Sequence, residues 1–131
     1  MNTLDDNPKP SGDLSLQTVA MPKDTNASGD IFGGWLLSQM DIAASVAAAK
    51  IAGGRVATVA IDNMNFLVPV HVGAVVSCYT ELVSVGRSSI QVLVEVWIDN
   101  PVKEGQIKVT EGVFVFVAIN ENRRTRAIGN I

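Results

Sequence analysis

The 131-residue sequence has only one cysteine, Cys78, and one histidine, His71. A single cysteine cannot form a disulfide within the chain and cannot supply a cysteine-rich metal site, so a reducing, cytoplasmic location is expected. Residues 1–13 are polar and have no apolar centre. We therefore expect no secretory signal in this segment.

The sequence is also short of positive charge, with a formal net charge of -3. A general nucleic-acid binder usually carries a basic face, so nucleic acid is not an expected partner. The basic run RRTR at residues 123–126 is the exception, and it is equally well explained as a solvated tail. Polar residues interrupt the longest apolar stretch, residues 35–52, which argues against a membrane span.

What the sequence does contain is 47% hydrophobic residues with 18% charged residues, which is typical of one compact domain. A long apolar helix is predicted from Gly33 or Gly34 to the glycine pair at residues 53–54. Strands are predicted from Leu14 and over four runs rich in Val, Ile and Thr: Val56–Phe66, Val75–Val85, Ser89–Asp99 and 107–119.

One helix beside five antiparallel strands predicts an α+β fold in which the sheet curls around the helix and buries it. The many alanines of the helix favour this arrangement, because they let the sheet approach closely. We expect a flexible tail at residues 1–13, the domain at residues 14–126 and a second tail at residues 127–131.

The predicted helix carries a narrow polar stripe made of Ser38, Asp41 and Ser45, which are spaced i, i+3 and i+7. Burying an ionised aspartate without partners is costly. Asp41 must therefore reach solvent, be satisfied by hydrogen bonds, or face a cleft. A structural role and a catalytic role are both open on this ground.

The glycine pair Gly33-Gly34 at the predicted helix start is the second candidate feature. Free backbone N–H groups and the positive end of the helix dipole can bind an anion or a developing oxyanion there. Asp41 lies roughly 10 Å further along the helix axis, at about 1.5 Å per residue. One reacting carbonyl cannot contact both groups of one helix, whereas an antiparallel second subunit would bring the partner's Asp41 to this helix start.

Three runs together resemble one family: MPKDTNASGDIFGGWLLSQMD, GRVATVAIDNMNFLVPVHVGAVV and SVGRSSIQVLVEVW. They are similar to the hotdog-fold acyl-coenzyme A thioesterases, most closely to the bacterial YciA-type subgroup. The resemblance implies a hotdog fold, dimers with continuous sheets, a homohexamer built as a trimer of dimers, and an acyl-CoA substrate. It implies hydrolysis to a free acid and coenzyme A without a metal or organic cofactor.

The resemblance also implies roles for particular residues. Asp41 falls on the family's general base or nucleophile, and Asn26 falls on an asparagine that orients water or substrate. Gly33 and Gly34 fall on the oxyanion-binding glycines. Phe32 precedes them where many hotdog thioesterases have histidine, as it does in the YciA-type subgroup.

The GRSS turn matches the family's coenzyme A contact, which makes Arg87, Ser88 and Ser89 candidates for binding the phosphates or the adenine end.

Other readings compete with catalysis. The domain could be a non-catalytic acyl-CoA sensor or a structural module, although an intact Asp41 favours chemistry. A hotdog dehydratase is disfavoured because His71 lies far from the helix motif. Cys78 is expected to be a small buried residue. We expect ordinary outward positions on strands for Asp62 and Glu95. Core packing is the expected role of Trp97 and Phe114.

Overall fold

A computed structural model describes residues 9–129 of the chain. Its elements follow the order β1 (Asp13–Val19), a short 3-10 helix (Pro22–Asp24), α1 (Gly33–Ala52), β2 (Val56–Phe66), β3 (Val75–Val85), β4 (Ser89–Asp99) and β5 (Gln106–Ala118). The five strands form one sheet in the order β1-β3-β4-β5-β2, and every neighbouring pair is antiparallel. The predicted α+β class with one long helix is confirmed.

The predicted bounds of β2, β3 and β4 are confirmed to the residue, and β5 begins and ends one position earlier than predicted. The glycine pair at residues 53–54 does end α1. Gly53 adopts a left-handed conformation with φ of 69°, and the backbone N–H groups of Gly53 and Gly54 both donate to the carbonyl of Ala49. Glycine suits this position because a side chain there would be strained.

The core lies between one face of α1 and the concave face of the sheet. Alanines on the buried face of the helix let the sheet approach closely, whereas Leu36 and Met40 of the helix, together with β4 and β5, supply the larger side chains. Phe114 and Phe116 are fully buried, which confirms core packing for Phe114. The buried helix residues are Leu36, Met40, Ala43, Ala44, Ala48 and Ala52.

Arg126 closes the C-terminal end of α1. Its guanidinium donates to the carbonyl of Ala52 at 2.9 Å and to the carbonyl of Ile119 at 3.1 Å. The last carbonyls of a helix have no partner within it, so this arginine satisfies one of them. The RRTR run is therefore more than a solvated tail, because its last member is built into the fold.

Each predicted tail contains a residue that forms a hydrogen bond to the domain. The backbone N–H of Ser11 donates to Glu95, and the backbone N–H of Ile128 donates to the carbonyl of Arg87 at 2.7 Å. These contacts favour a domain that reaches at least from Ser11 to Ile128, and the division at residues 14 and 126 stays a proposal. Residues 1–8, 130 and 131 lie outside the described part of the chain.

The expectation that Glu95 is an ordinary outward position is wrong. Glu95 is only 6% exposed, and its Oε1 accepts hydrogen bonds from the Trp97 indole at 2.9 Å and from the Ser11 backbone at 3.1 Å. Lys108 lies 3.5 Å from its other oxygen. Burial lowers the pKa of Lys108, but the hydrogen bond to Glu111 and the charges of Glu95 and Glu111 outweigh it and raise the pKa.

An apolar surface stays uncovered where α1 meets the edge strand β2. We call it the β2-α1 surface and define it by Ile42, Val46, Val59 and Ile61, whose side chains are between 37% and 57% exposed. Exposed apolar side chains beside an unpaired strand edge mark an interaction surface. In residues 9–129 there is no helix with the length and hydropathy needed to cross a membrane.

Candidate active site

Asp41 lies in the middle of α1, half-buried, and contacts the edge strand. Its Oδ1 accepts a hydrogen bond of 2.7 Å from the hydroxyl of Thr58 on β2. Its other carboxylate oxygen has no hydrogen-bonding partner among residues 9–129. One carboxylate oxygen is thus held in place while the other is free to accept a proton or to contact a ligand.

The two serines of the polar stripe have a different role. The hydroxyl of Ser38 donates to the carbonyl of Trp35 at 2.7 Å, and the hydroxyl of Ser45 donates to the carbonyl of Ile42 at 2.9 Å. Both therefore bond to their own helix, as serines inside helices commonly do. Asp41 is the member of the stripe whose side chain reaches beyond α1, and it does so next to the apolar β2-α1 surface.

The start of α1 is uncapped. Phe32 occupies the N-cap position without a side-chain hydrogen bond, and the first turn contains no acidic residue. Within the described residues the backbone N–H groups of Gly33 and Gly34 have no acceptor. Two donors and the positive end of the helix dipole are thus available for a negatively charged oxygen.

Asn26 belongs to a tight loop just before the helix. Its side-chain oxygen accepts hydrogen bonds from the backbone N–H groups of Ser28 at 2.9 Å and of Asp30 at 3.2 Å. Its side-chain amide has no acceptor in the described part of the chain. The side-chain carbonyl of Asn26 therefore stabilises the loop, while the NH₂ group of the same side chain can donate a hydrogen bond to a ligand.

Buried Asp24 anchors this loop to the rest of the chain. The carboxylate accepts the backbone N–H of Met21 at 3.1 Å and pairs with Lys23 at 3.0 Å, and the Asp24 carbonyl accepts the backbone N–H of Phe32 at 3.3 Å. Asp24 is 6% exposed. The loop that carries Asn26 is thus tied to Phe32, the residue directly before the helix.

One protomer does not bring Asp41 to the glycine pair. Asp41 contacts Thr58 near the start of β2, whereas Gly33 lies against Phe66 at the end of β2. These contacts place the two groups at different heights along α1, in agreement with the axial gap of roughly 10 Å expected from helix geometry.

The turn that carries Arg87 lies at the opposite end of the molecule from the helix start. It is closed by the backbone N–H of Gly86, which donates to the carbonyl of Ser89 at 2.8 Å, and the carbonyl of Ser88 accepts the N–H of Ala118. The Arg87 side chain is exposed and forms no ion pair within residues 9–129. It is therefore free to bind an anionic group.

An apolar cavity of about 300 Å³ lies beside Gly33. Neither this cavity nor the contact between Thr58 and Asp41 was predicted from the sequence. A threonine in a strand pattern is too common to mark a site, and the cavity depends on how the chain after β2 folds back to the helix. The cavity is lined by Ile31, Gly33, Leu36, Phe66, Leu67, Val68, Pro69 and Val70.

The remaining reactive side chains do not join these groups. Cys78 is fully buried in β3, and burial raises the pKa of its thiol to about 12, so it is a core residue as predicted. His71 is exposed in the loop between β2 and β3. In the described ranges no three His, Cys, Asp or Glu side chains are grouped so that they could hold a metal ion.

Comparison with known proteins gives three consistent results. The model of the thioesterase superfamily matches residues 28–104. The acyl-CoA thioester hydrolase YciA of Escherichia coli is 51% identical, with 91% of this chain and 92% of that protein covered. A hexameric broad-specificity acyl-coenzyme A thioesterase of known structure is 49% identical, with a TM-score of 0.88 and coverage of 94% and 85%.

A more distant structure is also informative. An acyl-CoA hydrolase from Staphylococcus aureus, solved with butyryl coenzyme A and coenzyme A, is 27% identical with a TM-score of 0.80, and the match covers 88% of this chain and 70% of that one. The same enzyme was solved with an aspartate replaced by alanine and with an asparagine replaced by alanine.

Proposed function

This chain belongs to the thioesterase superfamily and is an acyl-CoA thioester hydrolase with a hotdog fold, and we propose that Asp41, Gly33 and Gly34 are its central catalytic groups. The observation that carries the proposal is the carboxylate of Asp41, held on one oxygen by Thr58 and open on the other. A carboxylate in this setting suits attack on a thioester, directly or through water.

In the general-base version, Asp41 takes a proton from water as the water oxygen adds to the thioester carbonyl. The carbonyl oxygen becomes an oxyanion, which the backbone N–H groups of Gly33 and Gly34 stabilise. Collapse of this intermediate breaks the C–S bond, and the sulfur of coenzyme A leaves with the proton. In the nucleophilic version, the carboxylate of Asp41 adds to the thioester carbonyl, the C–S bond breaks and coenzyme A leaves as the thiolate, which gives a mixed anhydride. Water then hydrolyses the anhydride to the free acid and regenerates the Asp41 carboxylate.

Asn26 is the proposed orienting group for the water or the substrate. The two alanine-substituted positions in the Staphylococcus aureus enzyme, 28 for asparagine and 43 for aspartate, are 15 residues apart. Asn26 and Asp41 are separated by the same 15 positions here. The free NH₂ group of Asn26, on a loop tied to the helix start, supports this role.

The complete site is proposed to form between two copies of the chain. The axial gap on α1 means that glycine N–H groups from one protomer must meet Asp41 of its partner. The β2-α1 surface next to Asp41 gives an apolar area for this contact, and the unpaired edge of β2 can continue the sheet into the second copy. Hexameric relatives support further assembly into a trimer of dimers.

Coenzyme A is proposed to reach the GRSS turn. The exposed Arg87, with the hydroxyls of Ser88 and Ser89, offers the charge and the donors that phosphate oxygens require. The reaction as written needs no metal or organic cofactor. We propose that the enzyme works in the cytoplasm and that acyl-CoA, rather than nucleic acid or a membrane, is its partner.

Thiol release from a panel of acyl-CoA thioesters tests the proposal. Asp41→Ala and Asp41→Asn should lower kcat by at least about 100-fold, the lower range for loss of a general base, while the fold is kept. Ser45→Ala is the matched control, because its hydroxyl bonds only to the helix carbonyl of Ile42 and its loss should leave kcat unchanged. Tight binding without turnover by the wild-type protein would identify an acyl-CoA sensor instead.

A further inference from the structure

The strand β2 contains a bulge directly before its last residue, Phe66. Between Asp62 and Asn65 this strand advances three positions while β5 advances two, from Val113 to Glu111. Asn63, within the bulge, has a φ of 54°, which is uncommon for any residue other than glycine and most tolerable for asparagine. Bulges often redirect a side chain next to an active site.

Two contacts with β5 fix the bulge. The hydroxyl of Thr110 donates a hydrogen bond to the carbonyl of Asn65. Gly112 leaves room for Met64, since a Cβ at this glycine would lie 2.6 Å from the Met64 sulfur. The direction of the chain after the bulge is thus set by the neighbouring strand as well as by β2 itself.

The consequence is the position of the Phe66 ring. A Cβ built on Gly33 would lie 3.3 Å from this ring, so the phenyl group rests on the first glycine of the helix. Phe66 is also 55% exposed, which is unusual for a phenylalanine. The ring therefore covers the helix start from outside, and the rest of it is uncovered in the single protomer.

Behind this ring lies the cavity of about 300 Å³. Three of its lining residues, Ile31, Leu36 and Val70, are buried and at most 6% exposed. Every side chain that lines it is apolar. A thioester whose carbonyl oxygen is held by the N–H of Gly33 would place its acyl group at the mouth of this cavity.

We propose that this cavity is the acyl pocket, that it selects apolar acyl groups over those ending in a carboxylate, and that Phe66 is its specificity-determining residue. The inference rests on the proposed function, because it requires the carbonyl to bind at Gly33. The β2 bulge acts as the positioning element that aims Phe66 across the pocket mouth.

Charge selection follows from the lining. Butanoyl-CoA and succinyl-CoA have acyl groups with the same number of carbons, but the second ends in a carboxylate. Burying that carboxylate without a partner is costly. The wild-type enzyme should therefore show a kcat/KM at least about 10-fold higher for butanoyl-CoA than for succinyl-CoA, within the range by which apolar pockets discriminate.

Size selection follows from the Phe66 ring. Phe66→Ala removes one wall, so the ratio of kcat/KM for octanoyl-CoA to that for butanoyl-CoA should rise by about 10-fold, the scale of a change in pocket size. Phe66→Trp narrows the mouth and should lower the same ratio. Opposite shifts from the two variants are a readout that a merely structural role would not give.

Val83→Ala is the matched control, since Val83 is 51% exposed on β3 and outside the cavity. It should leave the ratio unchanged, and the Kd for free coenzyme A should be the same in all variants. If Phe66→Ala does not fold, Phe66→Leu replaces it and should raise the ratio by a smaller factor.

Two results would overturn the inference while leaving the enzyme a thioesterase. One is equal hydrolysis of succinyl-CoA and butanoyl-CoA by the wild type, and the other is an unchanged chain-length ratio in folded Phe66 variants. Failure of the proposed function would look different, because folded Asp41→Ala would then keep near wild-type kcat or the wild type would hydrolyse no member of the panel.

Discussion

The hydroxyl of Thr58 lies 2.7 Å from Oδ1 of Asp41 and ties the middle of the helix to the edge strand of the sheet. Thr58 can donate this bond from β2 only because the sheet curls around α1. The orientation of the proposed catalytic carboxylate therefore depends on the strand whose other edge is open to a second subunit.

Removing this hydroxyl should slow the reaction. Thr58→Val keeps the shape of the side chain but loses a hydrogen bond to a carboxylate, so kcat should fall by about 3- to 10-fold. This is less than the full effect of losing a charged hydrogen bond, because the pair is partly exposed to solvent. KM should change little. Thr58→Ser keeps the hydroxyl and should retain most activity in the same thiol-release assay. A wild-type kcat in Thr58→Val would show that the hydrogen bond to Asp41 does not contribute to catalysis.

Arg87→Ala should act on substrate binding. A phosphate contact stabilises the bound substrate and the transition state alike, so KM for acyl-CoA should rise while kcat stays near the wild-type value. A truncated thioester that lacks the nucleotide should be hydrolysed equally by both proteins. Lys103→Ala, which removes the same charge from an exposed turn, is the control. Parallel losses on both substrates would show that Arg87 supports the fold.

Two inactive variants should restore each other if the site is shared. In a dimer of Asp41→Ala with Gly34→Pro, one site carries both changes and the other carries neither. Proline at this position removes an N–H donor and still fits a helix start. After exchange at equal amounts about half the dimers are mixed, so roughly a quarter of wild-type activity should return.

The mixing experiment needs both parents to be folded dimers, which sedimentation can establish. Verified mixed dimers that stay as inactive as the parents would mean that Asp41 works with the helix start of its own protomer. The proposed arrangement across two subunits would then be abandoned, although Asp41 could still be catalytic.

Cys78 should resist modification in the native protein. Burial raises the pKa of its thiol to about 12, so the reactive thiolate is scarce at pH 7 to 9. The protonated thiol is favoured in the folded state, and this contribution to stability is lost as the pH rises above the ordinary thiol value toward 12. Mass spectrometry should find alkylation by iodoacetamide only after denaturation. Rapid labelling of the folded enzyme would contradict the buried position.

The sequence predicts the elements of this protein better than it predicts their contacts. The Val- and Ile-rich runs fix the bounds of β2, β3 and β4, because side-chain periodicity is a local property. Glu95 shows the limit: the alternation along β4 predicts an ordinary exposed position, but Ser11, Trp97 and Lys108 contact the carboxylate and bury it. Burial by residues distant in the sequence leaves no local signal.

Some residues of the candidate site can be identified from the sequence and others cannot. Asp41 stands out because a carboxylate is rare on an apolar helix, and Gly33 and Gly34 stand out at a helix start. Thr58 and Phe66 do not stand out in the sequence. Their roles depend on their contacts with Asp41 and Gly33, which form only when the sheet curls around the helix. The bulge that aims Phe66 depends on Gly112 in another strand, a pairing that spacing alone does not indicate.

The contact between Arg126 and Ala52 joins positions 74 residues apart. During synthesis the helix is made long before this arginine, so the carbonyl of Ala52 stays uncapped until all five strands have been synthesised. The same short segment reaches the Arg87 turn through Ile128. A chain truncated before residue 126 would therefore lose contacts with the helix end and with the Arg87 turn at once. Such a truncation should lower the stability of the fold more than the exposed, charged sequence of residues 123–125 would suggest.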